Sequence, residues 1–264
     1  MDQEESLYNN GIVAINISKV SVREKTVVVL GAPRGGTSMV AGSLHYLGVQ
    51  MGDKLTEATY EYPAMINAIA DHNLSKVREI VNERNLKYPT WGWKQPAHID
   101  YFFDEVLPLL KNPILIAIYR DVLSIGNRNS ISAGLDVSSN MLASLNLYHN
   151  MTRRIVKAEV PTLLISYEKT IQRADKFVNE IATVLGITDS QAIIKTVSFI
   201  EPSPKKYLLK SYLLNTGTHG RMDSIRPKSV AGWAFTEKTD KAALVDLYVN
   251  DKLTMTTEAK QFRK

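Results

Sequence analysis

The chain has 264 residues, 44% apolar and 22% charged, with 32 Lys and Arg against 27 Asp and Glu for a net charge of +5. This is the balance of a globular protein with room for one large α/β domain, or one domain plus a small one. The mild positive excess favours anionic ligands and, with no aromatic-interleaved basic stripe, does not point to nucleic acid. The chain has no cysteine, which excludes disulfides and thiolate metal sites; its five histidines show no metal-ligand spacing, and no stretch approaches the roughly 18 apolar residues of a membrane span.

Met1 to Asn10 is acidic and polar, unlike a signal peptide, so a cytoplasmic protein is expected. Ile12 to Val22 alternates weakly, as an edge strand or arm would. Thr26 to Leu30 is a β-branched apolar run short enough for a buried strand. Gly31-Ala32-Pro33-Arg34-Gly35-Gly36 follows, then Thr37 and Ser38 as helix starters ahead of Met39, Leu44 and Leu47. Strand, glycine loop and helix together aim backbone N–H groups at an anion. Gly31 and Gly36 have the separation of an NTP-binding loop, but Thr37 stands where its lysine belongs, and the cation lies inside the loop as Arg34.

Gly48 stops that helix, and a polar loop over 53–63 carries Asp53, Glu57 and Glu61. Pro63 precedes a predicted helix from Ala64 to about Ile80. In Trp91-Gly92-Trp93-Lys94-Gln95-Pro96 the lysine reads as a desolvated cation on a tryptophan-lined wall, facing an anion, or else as a snorkelling lysine on a buried aromatic turn. A helix is predicted from about Ile99 to Leu110. The apolar strand from Pro113 ends in Arg120-Asp121, at the carboxyl edge of a parallel sheet, where ligands bind. A long helix over 136–157, a strand from Pro161 running into Tyr167-Glu168, a helix stopped by Gly186 and another near 189–199 complete this part. Lys205-Lys206-Tyr207 suits either a basic clamp on a nucleotide or a solvated surface. From about 208 the composition changes: Asn215 to Gly220 is linker-like, and short strands follow from Ile225, with Asn250-Asp251 as a hairpin turn.

Pro33-Arg34-Gly35-Gly36-Thr37-Ser38 resembles the 5′-phosphosulfate loop of the sulfotransferase family, Pro-Arg/Lys-Ser-Gly-Thr-Ser/Thr, with Gly35 in place of the usual serine. Lys94-Gln95-Pro96 is similar to that family's Lys-x-Pro segment, and Tyr60-Glu61-Tyr62 resembles a degraded form of its bacterial Gly-Tyr-Phe-Glu-Asp stretch. Arg120 resembles the start of the 3′-phosphate signature, an arginine followed eight residues later by serine; here that residue is Arg128, which leaves Arg128, Ser130 or Ser124 as the partner.

The resemblance covers about residues 26–207 and implies a three-layer α/β domain with a central, mainly parallel sheet. It implies transfer of a sulfuryl group from 3′-phosphoadenosine 5′-phosphosulfate, as co-substrate, to an acceptor hydroxyl or amine, with no metal. Arg34, Gly35, Gly36, Thr37 and Ser38 would hold the 5′-phosphosulfate, and Arg120 and Arg128 the 3′-phosphate. Lys94, Glu61 and Arg34 form the implied catalytic set, with Glu61 the preferred base because it sits between two tyrosines, and Asp53 the runner-up. Gly232-Trp233-Ala234 and Val245 to Lys252 resemble a β-module attached to bacterial carbohydrate-active transferases, which points by analogy to a glycan acceptor. The expected layout is an arm (1–25), the transferase-like domain (26–212), a linker (213–224) and a partial, truncated β-rich module (225–264). Two rival readings stand beside this one: a P-loop kinase, and a non-catalytic glycan-binding or scaffold protein with a degenerate transferase domain.

Overall fold

Lys25–Gly31 is buried along its whole length, and a strand covered on both faces reads in sequence as one continuous apolar run. In the computed structural model this strand, β2, lies inside a five-stranded sheet of order β1-β5-β4-β2-β3. Its partners are β3 (Thr90–Gln95) and β4 (Pro113–Tyr119), both parallel to it; β4 pairs in parallel with β5 (Thr162–Ser166), and β1 (Ile12–Ile15) closes one edge antiparallel to β5. The structure describes residues 10–20, 24–56, 59–95, 97–133, 136–200, 218–226, 229–236, 243–249 and 252–259. Among them no helix is long and apolar enough to cross a membrane.

Alternation along the strands builds the layers. Val28, Leu30, Trp91, Trp93, Leu115 and Ala117 face one side. There they meet α2 (Pro63–Ala70), α3 (Leu74–Lys87), a helical segment of mixed pitch over 99–109, and α5 (Val137–Ala158). Val27, Val29, Ile114, Ile116, Ile118 and Leu163 face the other side, against α1 (Thr37–Tyr46) and α7 (Ala174–Leu185). The remaining helices are α4 (Val122–Ala133), α6 (Tyr167–Gln172) and α8 (Ser190–Phe199). This is the expected three-layer α/β domain with a mainly parallel sheet.

One expected helix is two. The run from Ala64 breaks after Ala70, because His72 takes a left-handed backbone (φ 52°). Asn73 then starts α3 as its N-cap, its side chain accepting from the N–H of Lys76 at 3.0 Å. The helix predicted from Ile99 to Leu110 changes pitch, with α-helical Ile99–Tyr101, π-helical Phe102–Val106 and 3₁₀ Leu107–Leu109.

The chain divides into two compact units, residues 1–129 with 136–203, and 130–135 with 204–264. The second holds two antiparallel hairpins, β6 (Thr218–Arg226) with β7 (Ser229–Thr236), and β8 (Leu244–Val249) with β9 (Lys252–Glu258). Strand pairing thus begins at Thr218, seven residues before the Ile225 start expected from composition. Lys205, Lys206 and the expected Asn250-Asp251 turn lie outside the described residues.

Candidate active site

The carboxyl ends of β2, β3 and β4 lie side by side, with Val29 opposite Lys94 and Gly31 opposite Ile118. Three stretches singled out by the sequence therefore emerge at one edge: the glycine loop after β2, Lys94 near the end of β3, and Arg120 just past β4.

The loop is a tight turn. The Gly35 N–H donates to Ala32 O at 2.8 Å, Arg34 takes a left-handed backbone (φ 65°) and Gly36 a second one (φ 95°). A Cβ on Gly36 would lie 2.3 Å from the Tyr167 ring, and one on Gly35 would lie 2.7 Å from Ala32 O and 3.2 Å from the Tyr148 hydroxyl. Position 35 therefore packs too closely against the loop's own carbonyl and α5 to admit a side chain without a shift. Gly36 is the N-cap of α1; it supplies no side-chain cap, and the first turn carries no acidic residue. In the first turn of α1 the Met39 N–H donates to Gly36 O at 3.0 Å; those of Thr37 and Ser38, which lack intrahelical acceptors by geometry, can face an anion. Thr37 is buried, and its methyl would lie 2.9 Å from a Cβ on Gly31.

Lys94 joins the loop to the candidate base. It is only 3% exposed. Its Nζ donates to Ser38 Oγ at 3.0 Å and stands 2.9 Å from Glu61 Oε1. The tryptophans do not line its wall, contrary to the sequence expectation. Side chains alternate along β3, so Trp91 and Trp93 enter the core on the opposite face of the sheet from Val29, the cross-strand neighbour of Lys94. The lysine reaches α1 and the loop over 53–63 instead.

That loop is pinned by its own hydrogen bonds. Thr56 N–H donates to Glu61 O at 3.1 Å, Glu61 N–H to Thr56 Oγ1 at 3.1 Å, and Tyr60 N–H to Thr56 O at 3.0 Å. The tyrosines beside Glu61 diverge. Tyr60 (φ 52°) packs on Tyr46 and Phe199, and burial raises its phenol pKa. Tyr62 is buried under the guanidinium of Arg84, 4.7 Å from its ring centroid. Glu61 stays about one-third exposed, at 36%. Asp53, the runner-up base, is occupied elsewhere: its Oδ2 lies 2.8 Å from Arg84 Nη2.

Arg120 holds the loop from the other side. Its Nη1 donates to Arg34 O at 2.9 Å, its guanidinium lies 4.5 Å from the Tyr167 ring centroid, and its N–H donates to the Tyr148 hydroxyl at 2.9 Å. Its Nε is buried with no hydrogen-bond acceptor among the described residues, and Glu168 Oε1 is 4.0 Å away. Burial pushes the Tyr148 phenol up to about 12, so it stays protonated at neutral pH. Asp121 N-caps α4, its Oδ2 accepting from Ser124 N–H at 2.9 Å and from Ser124 Oγ at 2.8 Å. That cap employs Asp121, the acid at the strand end where a P-loop kinase would need a free metal-binding aspartate, and Ser124, one of the 3′-phosphate candidates. Arg128 and Ser130 follow on α4.

Two contributors escaped the sequence reading. Tyr148 lies on the buried face of α5, and its sequence signal is that of a core position. Arg84 follows Val77 and Val81 at helical spacing (i, i+4, i+7), so its place on the buried stripe was the available signal.

No family model matches the sequence, and no curated protein matches it. Solved structures of similar layout include the sulfotransferase domain of a Synechococcus olefin synthase, at 17% identity and TM-score 0.43, covering 68% of this chain and 82% of that one. A mouse sulfotransferase complexed with PAP shares 11% identity at TM-score 0.43, covering 70% and 67%. A sulfotransferase from Mycobacterium tuberculosis shares 12% at TM-score 0.46, covering 74% and 78%. At identities this low, function has to be argued from the chemistry of the site itself.

Proposed function

We propose that this chain is a sulfotransferase, moving a sulfuryl group from 3′-phosphoadenosine 5′-phosphosulfate to an acceptor hydroxyl or amine, with glycans the first acceptor class to assay. The observation that carries the reading is the bridge from Ser38 through Lys94 to Glu61, at 3.0 and 2.9 Å. It links an anion cradle, a buried cation and a carboxylate. In-line transfer of an anionic group needs those three parts, since its catalysis is positioning and charge stabilisation. The kinase reading is weaker, because Thr37 occupies the loop-lysine position and Asp121 is engaged as a helix cap.

The donor fits the residues present. The uncapped start of α1 and the loop glycines suit the 5′-phosphosulfate. Arg120 and Arg128 are assigned to the 3′-phosphate, the buried Nε of Arg120 being a donor without an acceptor among the described residues. In the reaction the acceptor oxygen or nitrogen forms a bond to sulfur while the bond from sulfur to the bridging phosphate oxygen breaks. The leaving phosphate keeps that electron pair, and the acceptor's proton passes to Glu61. Glu61 Oε1 faces Lys94, which leaves Oε2 to take the proton. Lys94 and Arg34 offset the negative charge that develops on the sulfuryl and phosphate oxygens.

Calorimetric titration with adenosine 3′,5′-bisphosphate and with ATP tests the donor class. Binding of the bisphosphate in preference to ATP is expected; preference for ATP refutes the reading, and binding of neither supports a scaffold. In a radiolabelled sulfate-transfer assay, Glu61→Gln should lower turnover by about 10²–10⁴ with donor affinity unchanged.

A further inference from the structure

Arg84 lies on α3, apart from the anion cradle, yet its side chain is 1% exposed. Burying a cation this fully is costly unless its surroundings compensate. Its compensation comes from both ends of the loop over 53–63. Nη2 faces Asp53 Oδ2 at 2.8 Å where the loop begins, and the guanidinium lies 4.7 Å from the Tyr62 ring centroid where the loop ends. Tyr88 stands under the guanidinium at 5.2 Å, and neither Nη1 nor Nη2 makes a hydrogen bond among the described residues, so Asp53 meets Arg84 as a charge contact. Gly52, just ahead of Asp53, is shaped to the same cluster: a Cβ there would lie 2.7 Å from the Tyr62 ring. Glu61 is the residue immediately before Tyr62, so whatever fixes Tyr62 fixes the direction from which Glu61 meets Lys94.

We propose that Arg84 is a positioning residue, a buried clamp on both ends of the 53–63 loop that sets Glu61 against Lys94; its effect on turnover, though not the clamp itself, rests on the sulfotransferase reading above. A planar guanidinium spreads its charge over a flat face that can stack on two rings while staying against a carboxylate, which a compact ammonium does not reproduce. Lysine at position 84 is therefore not an equivalent.

The clamp is tested first without any activity. Lys94 of the wild-type protein is shielded by Glu61 and Ser38 and should react slowly with acetic anhydride, as read by mass spectrometry of the Lys94 peptide. In folded Arg84→Met the loop opens locally, and Lys94 labelling should rise by about tenfold or more. Unchanged labelling in a variant with native circular dichroism overturns the proposal. If Arg84→Met does not fold, Asp53→Asn, altered at the half-exposed partner, should show a smaller rise in the same labelling, and no rise overturns it. The second arm is a double-mutant cycle. Arg84→Met should lower kcat at unchanged donor KM in the wild-type background, and cost nothing further once Glu61→Gln is present. An equal cost in both backgrounds means that Arg84 does not act through Glu61, and overturns the proposal. If the wild-type protein transfers no sulfate, the functional reading has failed, while the labelling arm still decides the clamp.

Discussion

Replacing Lys94 with methionine separates the charge of the site from its packing. Methionine keeps the length of the stem and removes the ammonium. Lys94 is 3% exposed, so the stem has a buried slot that methionine refills. The carboxylate left behind is not buried: Glu61 is 36% exposed and can hydrate. The loss in stability should therefore lie near the exposed-pair value, about 1 kcal/mol or less, well short of the roughly 3–5 kcal/mol that follows when a buried charge loses its partner. Catalysis should behave differently. An electrostatic donor aimed at charge that develops only in the transition state is worth about 10²–10³ in kcat, or roughly 3–4 kcal/mol. Lys94→Met should thus lower kcat by at least about a hundredfold, with a small change in Tm and donor affinity nearly intact, the signature of an interaction made mainly in the transition state. The assays are sulfate transfer under saturating donor, calorimetry with adenosine 3′,5′-bisphosphate, and thermal unfolding. Unchanged kcat, or a fall in kcat matched by an equal loss of donor affinity, would refute the reasoning.

The loop makes two further predictions. Arg34 is left-handed (φ 65°), so Arg34→Gly relieves backbone strain while removing the cation; Tm should hold or rise while bisphosphate affinity drops by about 1.5–3 kcal/mol. Gly36→Ala should do the reverse of a neutral change, because its Cβ would meet the Tyr167 ring at 2.3 Å in a φ that disfavours side chains; a Tm loss reflecting about 1–3 kcal/mol is expected by calorimetric unfolding. Asp121 predicts a pH effect. Its carboxyl is held below the usual range, first by the Ser124 hydroxyl and then by the Ser124 and Leu123 N–H groups. A depressed folded pKa means that this stability is fully present above the unfolded value, about 3.9, and is lost as pH falls through the folded one. Asp121→Ala should cost about 1 kcal/mol or less at pH 7, as for an exposed cap, and the gap to wild type should begin to narrow as pH falls below about 4 in urea titrations.

What could be read from the sequence was what is local in it. The Thr26 to Leu30 run, the glycines and the paired hydroxyls sit within one stretch, so strand, loop and helix followed together. The contact between Glu61 and Lys94 joins a loop to a distant strand, and only the sheet brings them together; both were singled out for their residue type, not as partners. The tryptophan wall was an error of period. Trp91 and Trp93 share one parity and Lys94 the other, and strand alternation alone sends them to opposite faces. The helix break at His72 had no glycine or proline to announce it. Its only trace was Asn73, an N-cap residue inside an otherwise helical pattern. Arg84 carries a charge, and charged side chains are almost never fully buried unless paired, so its place in the core has no signature in its residue type.

The placement of the site's cation bears on what kind of ligand this loop can serve. In an NTP-binding loop the lysine follows the last glycine and moves with the loop. Here Thr37 takes that place and packs toward Gly31. The cation comes instead from the neighbouring strand, where Lys94 is hydrogen-bonded in register opposite Val29. Both strands are covered on both faces, so a slip of one residue would send Lys94 into the core and a tryptophan toward α1. The sheet therefore fixes the ammonium at the start of α1, at Ser38, and the loop cannot carry it further along a polyphosphate chain. A cation anchored there suits a donor whose transferred group lies at the helix N-terminus itself, one atom beyond a single phosphate. On the proposed reading, that placement favours a phosphosulfate over a triphosphate. Moving the charge tests the argument: the double variant Lys94→Met with Thr37→Lys restores an NTP-type loop in sequence, and if sheet placement decides the chemistry, it should not recover sulfate transfer.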